Sequence, residues 1–426
     1  MIIHVVEPGE SIYSIARRYG VTSESVLQAN DLSNPDQLAV GQAVVVPQGR
    51  RIYTVRPGDS IFAIAQRYGV QPAAILEENP DVGDGSRIYP GQIVVIPPPQ
   101  AKQGTIEVNG YAFPNTDTAL LQRTFALLTY LSIFAYRVRA DGSLETLDDT
   151  PLINLARQNR VAPVMVIANI RESGGFSTEI GQSVLNDPTA QNALVQNIQN
   201  TMREKGYYAL NVDFEYIRPQ DREAYNTFLT RITDVMHQDG HLVFTAVAPK
   251  LNATQQGLLY EAHDYAAHGR IVDRVILMTY EWGYLAGPPQ AIAPIDQVRR
   301  VVQYAVSVIP PKKILMGIPN YAYDWTLPYQ RGTLADTFSN VEAVRRAIAN
   351  NAAIQYDNTA QSPFYNYYDA QRRQHIVWFE DARSIQQKLK LVTEFGLAGI
   401  SYWTIGRPFP TNWFVLSSTF NVTKVL

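Results

Sequence analysis

The sequence contains no cysteine, which excludes disulfides, thiolate nucleophiles and cysteine-ligated zinc. Its 6 histidines show no HExxH-type spacing, so we expect neither a metal site nor a cofactor. No hydrophobic run is long enough to cross a bilayer, so we expect no insertion into a membrane. The first residues, MIIHVVEPGES, lack a basic segment followed by an apolar one. This beginning predicts synthesis in the cytoplasm without an ordinary secretory signal.

An excess of charge of one sign is also missing. The chain carries 36 basic and 39 acidic residues, a net charge of -3, which gives no basic surface for nucleic acid or anionic lipid. A composition of 46% hydrophobic and 18% charged residues is typical of a folded protein, and 426 residues predict two or more domains. The 25 tyrosines and 5 tryptophans offer aromatic faces that suit sugar rings, although such residues are also ordinary core material.

The first part of the chain contains an internal sequence repeat. HVVEPGESIYSIARRYGV is followed by VGQAVVVP, and these segments match YTVRPGDSIFAIAQRYGV and PGQIVVIP further along the chain. Each copy predicts a strand, a Pro-Gly turn, a helix capped by serine, a second helix and a final strand. We therefore predict two small βααβ modules, at residues 1–48 and 51–98.

The repeated pattern PGxSIxxIAxRYGV, with a later asparagine and GQxVVxP, resembles the LysM module. LysM modules bind glycans that contain N-acetylglucosamine, such as peptidoglycan and chitin. The resemblance implies glycan contacts in the loops that hold Gly9, Ser11, Asn30, Gly58, Ser60 and Asn79. Turns and helix caps need the same glycines and serines, so a structural role stays open for them.

A long α/β region follows the repeat. The stretch PPPQAKQGT at residues 97–105 is proline-rich and then polar, which predicts a linker at residues 99–105. Apolar strand patterns then alternate with helical patterns through residues 106–426. Eight β-α repeats predict an α/β fold of the parallel (β/α)8 TIM barrel type. An α+β insertion is predicted at about residues 322–385, between the last two strands, beside the barrel mouth.

The fourth strand, YALNVDFEYI at residues 208–217, carries polar residues on one face. In a barrel, Asn211, Asp213 and Glu215 would face the interior, while the alternating apolar residues face the helices. Burial and like charge favour retention of one proton by the two carboxyl groups near neutral pH, as a general acid requires. A buried polar network without chemistry is the structural alternative, above all for Asn211.

NVDFEY resembles the DxxDxDxE signature strand of glycoside hydrolase family 18. Glu215 matches the acid/base of that family and Asp213 its last aspartate, whereas Tyr208 and Asn211 replace the first two aspartates. The loss of the middle carboxylate puts the usual charge sharing with Asp213 in doubt. Segments ILMTYEW, GISYWTIG and GIPNYAYDW add the candidates Met278, Tyr280, Glu281, Trp403, Asn320, Tyr321 and Tyr323.

The resemblance implies a retaining, substrate-assisted hydrolysis, in which the 2-acetamido oxygen of the substrate attacks the anomeric carbon. Glu215 would protonate the leaving oxygen and then deprotonate a water molecule. Asp213 would orient the acetamido group and stabilise the oxazolinium-like intermediate. Tyr280 would donate a hydrogen bond to the acetamido oxygen, and Trp403 would stack beneath the distorted sugar.

Two LysM-like modules before a family 18-like barrel resemble, over nearly all 426 residues, the bacterial spore-cortex enzymes called cortical fragment-lytic N-acetylglucosaminidases. This resemblance implies hydrolysis of the bond after N-acetylglucosamine in cortex peptidoglycan during germination, at the spore coat or cortex. Three alternatives stay open: a chitinase, a glycan-binding spore coat protein without activity, and an unrelated barrel enzyme such as an aldolase. An aldolase would need a lysine at a strand end, where Lys250 lies.

Overall fold

The structure, a computed structural model, describes residues 1–32, 34, 37–49, 51–68, 70–86, 88–98 and 102–426, with the main chain alone at residues 51, 52 and 81. Part of the predicted linker, residues 99–101, lies outside the described residues. The chain divides into two compact units. The first comprises Met1–Gly104 and Pro410–Phe420, and the second comprises Thr105–Phe409 and Asn421–Leu426. The domain boundaries drawn from the sequence stay predictions.

The first unit contains two modules of the same topology. They consist of β1 (Ile2–Val5), α1 (Ile12–Tyr19), α2 (Ser23–Asn30) and β2 (Ala43–Val46), and of β3 (Arg51–Thr54), α3 (Ile61–Tyr68), α4 (Pro72–Glu78) and β4 (Ile93–Ile96). The two strands of each module pair in antiparallel fashion. The predicted βααβ order is therefore confirmed for both modules.

Helix α1 forms because its sequence supplies both a cap and an apolar face. The Ser11 hydroxyl accepts a hydrogen bond from the main chain of Ser14 at 3.2 Å, and the Ser14 hydroxyl accepts one from Ser11 N at 2.9 Å. Ile12 and Ile15 are fully buried on one side of the helix. Burial of each such side chain contributes roughly 1.5–3 kcal/mol, which is a large share of the stability of a module this small.

A buried asparagine joins the second helix of each module to its last strand. The Asn30 Nδ2 donates hydrogen bonds to the carbonyls of Val26 and Val45 at 2.7 Å, and its Oδ1 accepts one from Val45 N at 2.8 Å. Asn79 makes the same three bonds in the second module. Both side chains are buried, so these bonds replace water at main-chain groups that would otherwise be unpaired.

The second unit is a closed barrel of parallel strands. In chain order these are β5 (Thr105–Ala112), β6 (Tyr130–Arg137), β7 (Ala162–Ala168), β8 (Ala209–Asp213), β9 (Leu242–Val247), β10 (Arg274–Leu277), β11 (Ile314–Pro319) and β17 (Gly399–Trp403). Each strand pairs with the next one in this order, and β17 pairs with β5 to close the sheet. The predicted (β/α)8 barrel is confirmed.

Helices connect the barrel strands. They are α5 (Thr118–Thr124), α6 (Thr150–Gln158), α7 (Thr178–Asn186), α8 (Pro188–Lys205), α9 (Arg222–Gln238), α10 (Tyr265–Ile271), α11 (Ile295–Val308) and α13 (Ala382–Glu394). The chain ends with α14 (Pro410–Thr419), which belongs to the first unit, and β18 (Asn421–Val422), which pairs with β5. Across the described ranges, no helix combines the length and the apolar character that a bilayer crossing requires.

An antiparallel sheet is inserted between β11 and β17. It contains β12 (Ala322–Leu327), β13 (Asp336–Phe338), β14 (Gln355–Asp357), β15 (Ser362–Tyr368) and β16 (Gln374–Trp378), with α12 (Asn340–Ala349) between its second and third strands. The strand order is β13-β12-β16-β15-β14. The predicted α+β insertion between the last two barrel strands is thereby confirmed.

Apolar side chains fill the interior of the barrel. Val164, Ala209, Phe244 and Ile276, from four different strands, belong to one buried cluster. Ala209 faces this interior, and side chains alternate along a strand, so Asn211 and Asp213 face it too. The polar face predicted for the fourth strand thus lies in the barrel interior, near the carboxyl ends of the strands.

We expect Asn79→Ala to destabilise the second module, because it removes the partners of buried carbonyl and amide groups. The free energy of local unfolding should fall by ~1–3 kcal/mol. Hydrogen exchange of β4 peptides in the full chain measures this change. Gln66→Ala, on the exposed side of α3, is the control and should change the free energy by less than ~0.5 kcal/mol. Equal exchange in the two variants would contradict the assigned role of Asn79.

Candidate active site

A cavity of about 330 Å³ opens among the loops at the carboxyl ends of the barrel strands. Six of the predicted site residues line it, namely Asp213, Glu215, Met278, Tyr280, Glu281 and Trp403. They come from the ends of β8, β10 and β17, which meet at one edge because the strands are parallel. Folding therefore gathers at one place residues that are far apart in the sequence.

Glu215 lies just beyond β8, and an asparagine from the neighbouring strand fixes its main chain. Asn169 follows β7; its Oδ1 accepts a hydrogen bond from Glu215 N at 3.0 Å, and its Nδ2 donates to Glu215 O at 2.8 Å. Nδ2 also donates to Ser177 O at 2.9 Å, and the side chain is fully buried. These bonds hold the main chain of Glu215 and leave its carboxyl group free to face the cavity.

The residue before Glu215 is held by a buried histidine. His263 Nδ1 accepts a hydrogen bond from Ala248 N at 2.9 Å, so Nε2 carries the proton and donates to Phe214 O at 2.9 Å. Burial lowers the pKa of His263 to about 4, which keeps the ring neutral near pH 7. Strand β8 ends at Asp213 and is therefore shorter than the strand predicted at residues 208–217. It ends there because Asn169 and His263 form the main-chain hydrogen bonds that a neighbouring strand would otherwise form.

Burial dominates the electrostatics of the two carboxyl groups. It raises the pKa of Asp213 to about 7. The pKa of Glu215 rises well above its usual range, first through burial and then through the nearby charges of Asp213 and Glu281. A second negative charge beside the first is unfavourable in such a site, so the pair retains a proton near neutral pH.

Asn211 lies deeper in the barrel than Asp213 and is fully buried. Its Nδ2 donates a hydrogen bond to Tyr111 Oη at 2.6 Å. Within the described barrel, neither Asn211 Oδ1 nor Asp213 Oδ1 receives a hydrogen bond. An ionised Asp213 thus lacks a donor at that oxygen, which agrees with the direction of its pKa shift.

Tyr280 and Glu281 follow β10 and form another side of the cavity. Tyr280 is buried, and burial raises its pKa well above the usual value, so its hydroxyl remains protonated and can donate. Glu281 Oε1 accepts hydrogen bonds from the hydroxyls of Tyr321 at 2.5 Å and Tyr323 at 2.9 Å. Met278 lies on the same strand end and packs against the interior cluster. The tyrosine pair fixes the Glu281 carboxylate at the cavity rim.

Trp403 ends β17 among aromatic rings. The centroids of Tyr111, Phe113 and Phe134 lie 5.2, 5.9 and 4.8 Å from its own, all in edge-to-face arrangements that favour attraction. The indole remains partly exposed to the cavity. These contacts fix the orientation of a broad apolar surface at the site.

Asn320 holds the chain around Trp403. Its N donates a hydrogen bond to Trp403 O at 2.9 Å, and its Nδ2 donates to Thr404 O at 2.7 Å and to Arg407 O at 2.9 Å. The residue is almost fully buried. Asn320 and Tyr321 line a second cavity, of about 400 Å³, which also reaches Trp403. The Asn320 amide is thus engaged by main-chain groups, whereas Tyr321 reaches the first cavity through Glu281.

Lys250, the lysine considered for an aldolase, lies behind the wall of the cavity. It is 2% exposed, and its Nζ donates a hydrogen bond to His263 O at 3.1 Å. Burial lowers its pKa. Because Lys250 is not among the residues that line the cavity, its position does not suit imine formation with a ligand there. In the described ranges, no three His, Asp or Glu side chains are grouped to hold a metal ion.

The predicted glycan-binding residues of the two modules occupy different environments. Gly9 and Gly58 lie in exposed turns with φ of +81° and +86°, where a side chain would strain the main chain. Ser11 and Ser60 accept hydrogen bonds from the main chain of the helices that they precede. The amides of Asn30 and Asn79 are engaged inside the modules, as described above. The turns at Gly9 and Gly58 are therefore exposed, whereas the asparagine amides are engaged inside the modules.

Three residues that support the site are missing from the sequence-based candidates. Asn169 carries a usable signal, since it is a polar residue at the carboxyl end of a buried barrel strand. Tyr111 looks like any aromatic core residue. His263 lies in a loop after β9, and its partners, Phe214 and Ala248, cannot be read from local sequence.

We expect Asp213→Asn to reduce the loss of stability at alkaline pH. The folded pKa of Asp213, about 7, lies above its unfolded value, so the folded state binds the proton more tightly. Stability therefore falls as the pH rises from about 4 through 7, and the variant should lose ~2–4 kcal/mol less than the wild type. Urea unfolding at pH 5 and pH 8 measures the difference. Exposed Asp148→Asn is the control, and equal losses in the two variants would refute the effect.

The comparisons with known proteins agree over the whole chain. Residues 109–407 match Glycosyl hydrolases family 18, and residues 4–47 and 53–97 match the LysM domain. The cortical fragment-lytic enzyme of Bacillus subtilis (strain 168) is 47% identical over 431 residues, covering 100% of this chain and 99% of its own. The crystal structure of the Bacillus megaterium QM B1551 spore cortex-lytic enzyme SleL is 41% identical, with a TM-score of 0.88, and covers 100% of this chain and 99% of that chain. The corresponding Bacillus cereus structure is 41% identical, with a TM-score of 0.85 and coverage of 99% and 98%. The chain therefore belongs to glycosyl hydrolases family 18 and is a glycoside hydrolase with two LysM domains.

Proposed function

We propose that this glycoside hydrolase cleaves the bond after N-acetylglucosamine in peptidoglycan, with retention of configuration at the anomeric carbon. The observation that carries the proposal is the environment of Glu215. Its carboxyl group lines the cavity at the barrel mouth, and burial with the nearby charges of Asp213 and Glu281 raises its pKa. A carboxylic acid that keeps its proton near neutral pH is suited to general acid catalysis.

The reaction takes two steps in this proposal. Glu215 first gives its proton to the glycosidic oxygen, while the 2-acetamido oxygen of the substrate attacks the anomeric carbon and the C–O bond breaks. The product is a free leaving sugar and an oxazolinium-like intermediate. Glu215, now ionised, then takes a proton from water, and the water oxygen opens the intermediate. Two inversions at the same carbon give overall retention.

Neighbouring side chains support these steps. Asp213 orients the acetamido group and stabilises the positive charge of the intermediate once Glu215 has lost its proton. Tyr280, whose raised pKa keeps its hydroxyl protonated, donates a hydrogen bond to the acetamido oxygen. Trp403 stacks against the apolar face of the distorted sugar. This division of roles explains why the cavity combines carboxyl groups with tyrosine hydroxyls and an aromatic surface.

The remaining cavity residues contact or shape the substrate site. Glu281, held by two tyrosine hydroxyls, accepts hydrogen bonds from sugar hydroxyls, and Met278 contributes an apolar wall. Asn211 keeps the interior polar below Asp213 without adding a charge. Asn320 and Tyr321 act indirectly, through the main chain at Trp403 and through Glu281.

The two LysM domains hold the enzyme on its insoluble glycan. We assign the contacts to the exposed turns at Gly9 and Gly58 and the caps at Ser11 and Ser60, with loops shaped by Asn30 and Asn79. Each domain alone is a weak binder in this scheme. Covalent linkage to the barrel raises the effective concentration of glycan at the active site.

The substrate is the cortex peptidoglycan of a germinating spore, and the enzyme acts at the spore coat or cortex. The relatives described above are named as cortical fragment-lytic and spore cortex-lytic enzymes, and their similarity spans the whole chain. A chitinase is the second candidate, because the contacts assigned to Asp213, Tyr280 and Trp403 involve only the N-acetylglucosamine unit that chitin shares with peptidoglycan.

Replacement of Glu215 by glutamine tests the proposal. We expect kcat on cortex fragments to fall about 10²–10⁴-fold, with binding retained, because the variant keeps the shape of the side chain but has no proton to transfer. Mass spectrometry of the released fragments identifies the sugar at each new reducing end. Glu223→Gln, an exposed residue on α9, is the control and should keep the wild-type rate.

The same assay compares substrates. Wild-type protein should release fragments that end in N-acetylglucosamine and should leave de-N-acetylated glycans intact. Efficient cleavage of glycans without acetamido groups would overturn the substrate-assisted mechanism. Faster cleavage of chitin oligomers than of cortex fragments would favour the chitinase, and wild-type rates in Glu215→Gln would remove the assignment of the acid.

Asn169→Ala tests the positioning of Glu215. The change frees the main chain of Glu215 at both its N and its O, so the carboxyl group loses its fixed approach to the glycosidic oxygen. We expect kcat to fall about tenfold or more while KM changes little. Asn159→Ala, on the exposed end of α6, serves as the matched control. A rise in KM at constant kcat would instead indicate a role in substrate binding.

A further inference from the structure

The chain bends sharply between the end of β10 and the first cavity. Thr279 N and Tyr280 N donate hydrogen bonds to carbonyls two residues back, Leu277 O at 2.8 Å and Met278 O at 2.9 Å. Glu281 then has a φ of +67°, a left-handed conformation that residues other than glycine rarely adopt. Such a strained conformation persists only where the surrounding contacts hold it. The bend places Tyr280 and Glu281 in the lining of the first cavity.

One buried hydroxyl group ties this bend to the next barrel strand. Thr279 is fully buried, and its Oγ1 donates a hydrogen bond to Gly317 O, in β11, at 2.7 Å. On the other side, Met278 N donates to Val247 O, in β9, at 3.0 Å. The main-chain pairing of β10 with β11 ends at Leu277. The Thr279 hydroxyl therefore continues the connection to β11 at the point where the sheet pairing stops.

Gly317 also provides the surface on which the Tyr280 ring rests. A Cβ atom at Gly317 would lie 2.8 Å from Tyr280 Cε1 and 2.4 Å from Leu277 O, which is closer than packed atoms approach. Because Gly317 lies within a regular strand, the close approach of these groups explains the glycine. The residue that accepts the Thr279 hydrogen bond thus also supports the ring of the next residue, Tyr280.

The direction of the Tyr280 hydroxyl matters for the proposed reaction, in which it donates a hydrogen bond to the acetamido oxygen. A protein group that bound this hydroxyl would compete with the substrate, so its direction has to be set by the main chain and by the packing of the ring. Hydrogen bonds weaken steeply outside a distance of about 2.7–3.2 Å or when the donor is poorly aligned. A small displacement of the ring would therefore lower the rate.

We propose that Thr279 is a positioning residue, whose hydrogen bond to Gly317 O holds the Tyr280 ring on β11 and thereby aims the Tyr280 hydroxyl at the acetamido oxygen of the substrate. The inference rests on the proposed function and adds a residue that is not among those that line the cavity. Thr279 acts on the main chain before Tyr280, as Asn169 acts on the main chain of Glu215. Each support leaves the reacting side chain available to the substrate.

The test replaces Thr279 by valine, which keeps the shape of the side chain without the hydroxyl. In the full-length protein acting on cortex fragments, kcat should fall about tenfold, while KM should change less than about twofold because Trp403 and Glu281 still hold the sugar. Thr279→Ala, which also lacks the hydroxyl, should show the same loss. Thr279→Ser, which keeps the hydroxyl, should retain most of the wild-type rate.

Thr129→Val is the matched control. Thr129 precedes β6, at the end of the barrel opposite to the cavity. It is also fully buried, and its hydroxyl donates a hydrogen bond to Thr423 O at 2.8 Å. The variant should lose stability in urea unfolding and keep the wild-type kcat per folded molecule. An equal loss of kcat in Thr129→Val would show that destabilisation alone lowers the rate, which would overturn the inference.

A double-mutant cycle separates positioning from a general loss of packing. Tyr280→Phe should lower kcat about 10²-fold, and Thr279→Val should lower it less than about twofold further in that background, because the hydroxyl that Thr279 aims is already absent. Equal losses from Thr279→Val in the two backgrounds, or an unchanged kcat in Thr279→Val, would contradict the inference while the proposed function stands. Wild-type kcat in Tyr280→Phe would remove the role proposed for Tyr280, and the inference with it.

Discussion

The proposed chemistry of this molecule depends on two carboxyl groups at the mouth of the barrel, Asp213, which is buried, and Glu215, which is partly buried. In water, Asp213 and Glu215 would ionise at about pH 4, and burial at the end of β8 raises both pKa values. The barrel creates this environment with an apolar interior beneath Asn211 and aromatic rings beside Trp403. The protein gives up stability at neutral pH in order to keep a proton available, as active sites commonly do.

The supports of this pair act on the main chain and leave the carboxyl oxygens alone. Asn169 binds the N and O of Glu215, and His263 binds the carbonyl of Phe214. A donor aimed at the carboxylates would stabilise their ionised form and lower their pKa values. These neutral supports bind the main chain, so they fix its position without lowering the pKa values of the two carboxyl groups.

The fold could be predicted from local sequence, because the spacing of apolar residues along each segment indicates whether it forms a strand or a helix. The alternation of residues 208–217 was also enough to place Asp213 in the barrel interior and Glu215 on the same side, at the barrel mouth. Contacts between distant segments were not predictable in this way. The bond from Asn169 to Glu215 joins two strands, and that from Asn320 to Arg407 joins two loops; neither leaves a periodic signal.

The glycan-binding residues predicted in the modules show a second limit of prediction from sequence. Asn30 and Asn79 follow a helix in a segment that could equally be exposed, and the sequence does not say which way a short amide points. In the structure both amides bind main-chain groups of their own module. A repeated residue in a small module can therefore reflect the need to pair buried main-chain groups as well as the need to bind a ligand.

The hydrogen bonds of Asn320 bear on which glycan fragments the enzyme would release. One side chain holds the main chain at both Thr404 and Arg407, so the loop that follows Trp403 is tied to the end of β11. An alternating polymer can enter such a site in two phases that differ by one unit. In the function proposed above, only the phase with N-acetylglucosamine over Trp403 is productive, so every second linkage would be exempt from cleavage and the internal fragments would contain even numbers of sugars.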